Sequence, residues 1–144
     1  MTAPRPLHRP PSAWHFMARA LLPKPRRSDL PALGLALPPL RPAQAELDAY
    51  LRLTGLPQDG PLPLTWPQVW GFRMQMALLT DRAFPLPIWS ALQVRNRLLQ
   101  HAPVHAGQAY ARATRVAGRR RLDKGVEIDL HSALHDAQGT LVWE

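Results

Sequence analysis

Ten of the chain's 17 prolines fall within residues 1–42, and none follows Pro103. Proline lacks the backbone N–H that a helix interior and an inner strand must donate, so the first third can form neither a continuous helix nor a central strand. One proline-free island there, Ser12 to Leu22, predicts a short helix. Ser12 can stand at its N-cap, and Ala13, Phe16, Met17, Ala20 and Leu21 recur at helical spacing.

Beyond the tail, the apolar run Ala32 to Leu37 is stopped by Pro38-Pro39 and reads as an edge strand. Residues 42–54 read as a helix with Pro42 in the first turn and Gly55 closing it, Leu47, Tyr50, Leu51 and Leu53 forming its apolar side. Leu56 to Leu64 is a turn-rich loop containing Gln58-Asp59-Gly60-Pro61.

The next segment predicts a central helix over about 66–80. Thr65 and Gln68 have capping-box spacing, and Pro67 suits the first turn. Val69, Phe72, Met76 and Leu79 make one face, while Trp70, Met74, Ala77 and Leu78 cover most of the rest. A helix apolar nearly all round is expected to be buried. Gly71 inside it suggests close approach of another backbone.

After Pro87 the period changes from 3.6 to 2. Ile88 to Leu98 predicts a half-buried strand with Leu92, Val94 and Asn96 inward and Gln93, Arg95 and Arg97 outward. A less regular strand is expected over 108–116, then a turn over Arg119 to Gly125. Next come a strand with Val126, Ile128, Leu130 and Leu134 on one face, a turn at 136–139, and a strand starting at Thr140. One buried helix followed by sequential antiparallel strands gives an α+β architecture, satisfied by a long sheet wrapped round the helix, the hotdog arrangement.

At 144 residues the chain is sized for one domain, read as a basic extension over 1–31 and a hotdog domain over 32–144. Without cysteine it has no disulfide framework and no thiolate site, which fits a reducing compartment, and cytoplasmic placement is expected. No apolar run is long enough for a membrane-spanning helix. The net charge of +8 is concentrated in residues 1–28, which carry six basic residues and no acid. The remainder is nearly balanced, which argues against a nucleic-acid-binding face on the folded part. An Arg-rich, acid-free start also suits a transit peptide, but the prolines oppose the amphipathic helix that such peptides need. Four-residue spacings of His101/His105, broken by Pro103, and of His131/His135, in a strand, exclude those pairs as metal ligands.

The stretches Leu62-Pro63-Leu64-Thr65-Trp66-Pro67-Gln68-Val69, Met76-Ala77-Leu78-Leu79-Thr80-Asp81-Arg82-Ala83-Phe84-Pro85 and Leu92-Gln93-Val94-Arg95-Asn96-Arg97 resemble the MaoC-like acyl dehydratases and (R)-specific enoyl-CoA hydratases. The match is closer to the N-terminal half of members with two hotdog units in one chain. It is spread over roughly 32–144 without a short invariant signature.

The resemblance implies an acyl-thioester-binding unit, the thioester carried by coenzyme A or acyl carrier protein, acting on 3-hydroxyacyl or enoyl substrates. It implies no cofactor or metal. The family's hydratases present a catalytic Asp and His as Asp-x-Asn-Pro-x-His, which would fall in the loop over 55–63. Asp59 is there, but no histidine lies between His15 and His101. The resemblance therefore implies the non-catalytic half, working as a homodimer or paired with a catalytic half, with a non-enzymatic scaffold as the alternative. Trp70, Phe72, Met76 and Asn96 are the candidate substrate-binding residues, although core packing is the plainer reading of the first three and a hydrogen bond to a neighbouring loop that of Asn96. Asp81 is expected in a turn, and Arg119-Arg120-Arg121 either grips a phosphate or carrier acid, or is solvated. The Trp143-Glu144 ending, just into a strand, suggests a truncated unit missing its last strands.

Overall fold

The computed structural model describes residues 4–24 and 32–144. In chain order its elements are β1 (Arg5–Pro6), α1 (Ala13–Ala20), β2 (Gly34–Leu40), α2 (Gln44–Thr54), α3 (Trp66–Leu79), a 3-10 turn (Ile88–Ser90), β3 (Tyr110–Leu122), β4 (Gly125–His135) and β5 (Leu141–Trp143). The boundary expected at residue 31 lies outside the described residues.

The sheet runs β1-β2-β3-β4-β5. β1 is parallel to β2, and every other neighbouring pair is antiparallel. The long β3–β4 hairpin pairs Arg112 with Leu134 and Thr114 with Ser132 before a bulge between Val116 and Gly118. Its turn lies at Asp123-Lys124, so Arg119, Arg120 and Arg121 extend β3 instead of forming the expected turn.

β2 was expected at an edge, but residues of the N-terminal extension cover it: β1 pairs with it and the Leu7 N–H donates to the Ala36 carbonyl at 2.7 Å. Gly34 permits this, since a Cβ there would lie 3.3 Å from Pro4 Cα. Pro38 and Pro39 fall in the stretch between Leu37 and Leu40 where the β2–β3 register shifts.

The helices form where the spacing places them, though their faces differ. α1 buries only Phe16 and Ala20, leaving Met17 and Leu21 in solvent, because only one side of this short helix meets the domain. α2 buries Leu47 and Leu51, exposes Leu53, and ends on Gly55 at φ 67°. At α3, Thr65 makes no side-chain cap; its hydroxyl meets Tyr50 Oη, and Gln68 bonds Gln75.

α3 buries Trp66, Pro67, Met74, Ala77 and Leu78 but exposes Val69 and Phe72, so it is not enclosed as expected. Its apolar residues divide between its own sheet and the outside. Gly71 has no neighbour within 4 Å of an added Cβ, which removes the close approach suggested for it.

Two apolar clusters result. One joins Leu47, Leu51, Leu62, Trp66, Val104, Tyr110, Leu134, Val142 and Trp143, and the other joins Leu35, Leu37, Met74, Ala77, Leu78 and Phe84. α3 contributes to both, one at each end. Among the described residues no helix is long and apolar enough to cross a membrane. Leu78, 1% exposed at the centre of the second cluster, should lose about 2–5 kcal/mol of stability as Leu78→Ala, read as a lower urea midpoint.

Candidate functional site

Between its two apolar ends α3 meets a polar seam. β3 alternates, and Tyr110, Arg112 and Thr114 form its buried row. Arg112 is 4% exposed, stacked 3.7 Å from the centre of the Trp70 ring, with Nη1 donating to the Trp70 carbonyl at 2.9 Å. Its Nε finds no partner among the described residues. Burial lowers the guanidinium to about 10; Glu46 opposes the shift and Arg73 adds to it. It remains charged at neutral pH. Glu46 is itself engaged by Arg73 at 3.4 Å.

One helical turn further along, Gln75 Nε2 donates to Ser132 Oγ at 3.0 Å, and Ser132 and Thr114 share a hydroxyl hydrogen bond. The Gln68 and Gln75 amides also bond each other, at 3.1 and 3.4 Å. These groups offer hydrogen bonds and one positive charge beside an open apolar surface. None is a base with a near-neutral pKa, so the seam can bind and orient a polar group but cannot take a proton. The sequence reading missed it because Arg112, Thr114 and Ser132 look like outward polar positions. The signal was there: they share a strand row with Tyr110 and Leu134.

Of the expected substrate-binding residues, Trp70, Phe72 and Met76 all lie on α3. Trp70 is partly buried against Arg112, Met76 is partly buried, and Phe72 is 49% exposed. Asn96 does not take the buried strand position expected for it. Residues 91–97 are exposed and lie in no strand, with Leu92 85% exposed. The alternation is real, but among the described residues no strand pairs with the segment and its apolar row stays exposed. Strand-like pairing starts only at Leu99, whose N–H donates to the Glu144 carbonyl at 2.7 Å and whose carbonyl accepts from the Glu144 N–H at 2.9 Å. Gln100 then bridges to Trp143.

The remaining charged candidates are held locally. Asp81 accepts from the Ala83 N–H at 3.0 Å, as a turn residue does, and pairs with Arg5 at 3.2 Å. Asp59 is exposed in its loop. Glu127 receives both Arg120 and Arg95, which hold its carboxyl below the usual range, Arg120 contributing most. His131 and His101 converge on the Glu144 carboxylate at 2.8 and 3.3 Å, lowering its pKa. That meeting of two separate segments was not foreseen. Among the described residues no group of three or more His, Asp or Glu side chains could hold a metal ion.

A central helix laid across a mostly antiparallel sheet is the hotdog arrangement, and the solved structures that share it are dehydratases. No family model matches the sequence. The chain is 30% identical over 113 residues to 3-hydroxyacyl-thioester dehydratase X of Mycobacterium tuberculosis, a match covering 78% of this chain and 40% of that protein. It thus spans less than half the length of this curated relative. A crystal structure of HtdX from the same organism superimposes with a TM-score of 0.69 at 25% identity, covering 76% of this chain and 47% of that one. The C-terminally truncated HadBC 3R-hydroxyacyl-ACP dehydratase complex of M. tuberculosis shares the fold, with a TM-score of 0.65 at 14% identity, covering 81% of this chain and 93% of that one. In sequence over those 113 residues and in fold, the chain is similar to the MaoC-like hotdog dehydratases.

Two measurements check this account. Arg112→Met removes the buried charge while keeping most of its volume, so stability should hold within about 1 kcal/mol or rise, whereas Arg112→Ala should lower it by about 2 kcal/mol or more. Glu127→Gln should release Arg95 and speed tryptic cleavage at the exposed Arg95 and Arg97. In the unsubstituted chain, Glu127's lowered pKa makes its contribution complete above the ordinary carboxylate range and lost as pH falls through the lowered value, so acidification should lower the urea midpoint and Glu127→Gln should flatten that dependence.

Proposed function

We propose that this chain is the acyl-thioester-binding, non-catalytic hotdog unit of a MaoC-like dehydratase, with residues 32–144 forming the unit and 1–31 its extension. It acts by pairing with a unit that carries the catalytic Asp and His. The carrying observation is the open apolar surface of α3 and of the segment 91–98. Phe72 and Val69 lie outward on the helix, and Leu92 and Val94 outward on a segment with strand alternation but no ladder. Exposed apolar side chains together with an unused strand pattern favour association with a second unit.

In this reading Leu92 and Val94 pack against the paired unit. Trp70, Phe72 and Met76 face the acyl chain at the junction, and Asn96 offers its amide to the thioester's polar portion. Arg112 fixes the Trp70 ring and so the shape of the acyl surface. The missing histidine leaves proton transfer to the paired unit. The names of the relatives, a 3-hydroxyacyl-thioester dehydratase and a two-component 3R-hydroxyacyl-ACP dehydratase, support the substrate class and the pairing.

The test mixes the chain with a MaoC-like unit bearing Asp-x-Asn-Pro-x-His and follows loss of the conjugated enoyl-thioester absorbance. The chain alone should be inactive. The mixture should exceed the catalytic unit alone by about tenfold or more, and Leu92→Lys with Val94→Lys should abolish both complex and gain. A complex that forms without any gain, together with no change in melting temperature at saturating acyl-CoA, would leave a non-enzymatic scaffold.

A further inference from the structure

The side of α1 turned away from the domain is built like a lipid-contacting surface. Phe16 and Ala20 face inward and are buried. Opposite them, Trp14, Met17, Ala18 and Leu21 recur at i, i+3, i+4 and i+7, so they share one face of the helix. That face is solvent-exposed, Trp14 to 86% and Leu21 to 77%. Trp89, also largely exposed, joins the end of the helix by donating from Nε1 to the Ala20 carbonyl at 2.9 Å.

The helix is presented, not merely loose. Before it, β1 pairs with β2 and Arg5 meets Asp81 at 3.2 Å. After it, Lys24 Nζ donates to the carbonyls of Leu79, at 3.3 Å, and of Asp81, where α3 ends and its dipole favours a cation. With both flanks fixed, little further ordering is required on binding.

Charge and shape together select the occupant. Among the described residues of the extension Arg5, Arg9, Arg19 and Lys24 are basic and none is acidic, which favours a positive field at this face. The apolar side chains protrude. A protein hot spot is typically an anchor seated in a recessed, desolvated pocket, whereas an exposed stripe of Trp, Met and Leu, with His15 and Arg19 on the same helix and Arg9 just before it in the chain, matches insertion into a fluid interface above anionic headgroups. We propose that α1 is a peripheral membrane-binding element that docks this domain on bilayers containing anionic phospholipid. Trp14, Met17 and Leu21 enter the headgroup–acyl boundary, and Arg9 and Arg19 meet lipid phosphates. This rests on the extension alone and does not depend on the acyl-thioester reading.

The experiment is co-sedimentation of the full chain with vesicles of phosphatidylcholine alone and of phosphatidylcholine mixed with phosphatidylglycerol. The chain should sediment with the mixed vesicles and much less with the neutral ones, more weakly as salt rises. The triple variant Trp14→Ser, Met17→Ser, Leu21→Ser alters exposed side chains only, so its urea midpoint should match the parent while vesicle partitioning falls about tenfold or more. Arg9→Gln with Arg19→Gln should reduce the preference for the mixed vesicles. Failure of the parent to sediment with mixed vesicles overturns the proposal. So does a triple variant that binds as well as the parent, since attraction would then be charge alone. A parent that ignores vesicles but whose oligomeric state the triple variant changes would reassign the face to protein docking.

Discussion

The structure depends on how α3 is seated on the sheet. Each end is held by an apolar cluster, through Trp66 at one end and Met74, Ala77 and Leu78 at the other. Apolar contact is non-directional, so by itself it would tolerate a helix that slides or rotates. The seam between the clusters is directional. Arg112 must reach the Trp70 carbonyl while Gln75 reaches Ser132, and a displaced helix would leave a buried guanidinium and a partly buried amide without these partners. The seam therefore sets the register of the helix, and the clusters supply most of the stabilisation.

This seat also sorts the apolar residues of α3. Those turned towards the sheet are consumed by it. Val69 and Phe72 are turned away and remain open, as do Leu92 and Val94 on the segment beyond the 3-10 turn. A single hotdog unit is thus closed on one side of its helix and apolar on the other. HadBC, which shares the fold, is described as a complex, and the pairing proposed for this chain rests on its own open side.

The C-terminal end of α3 is where the extension fastens. Arg5 on the Asp81 side chain and Lys24 on the Leu79 and Asp81 carbonyls bring two cations of the acid-free tail onto the helix's electronegative end. The uneven charge of the sequence has a structural use there, holding α1 against the domain with its apolar stripe outward.

Much of this was legible without coordinates. Helices α2 and α3, the β3–β4 hairpin and β5 follow from local periodicity and turn chemistry, which neighbouring residues specify among themselves: Gly55 ends α2 and Gly139 sits in the turn before β5, both at positive φ. Alternation in 88–98 was also visible, but a period of 2 says only that a segment can be a strand, not that a neighbouring strand exists to receive it. For the same reason Asn96 lay in the right pattern and the wrong environment. Arg112, Thr114 and Ser132 share strand rows with Tyr110 and Leu134, but a row alone does not say what its polar members meet, because burial of a polar side chain depends on which partners the opposing element brings. The sequence by itself determined the helix, the hairpin, the resemblance to the dehydratases and the location of the charge. Only the tertiary structure decided which half of α3 is closed, that the core carries a cationic seam, and that the extension lies on the sheet edge. Those are facts about pairs of residues distant in the chain, and distance in sequence carries no information about contact until the chain has folded.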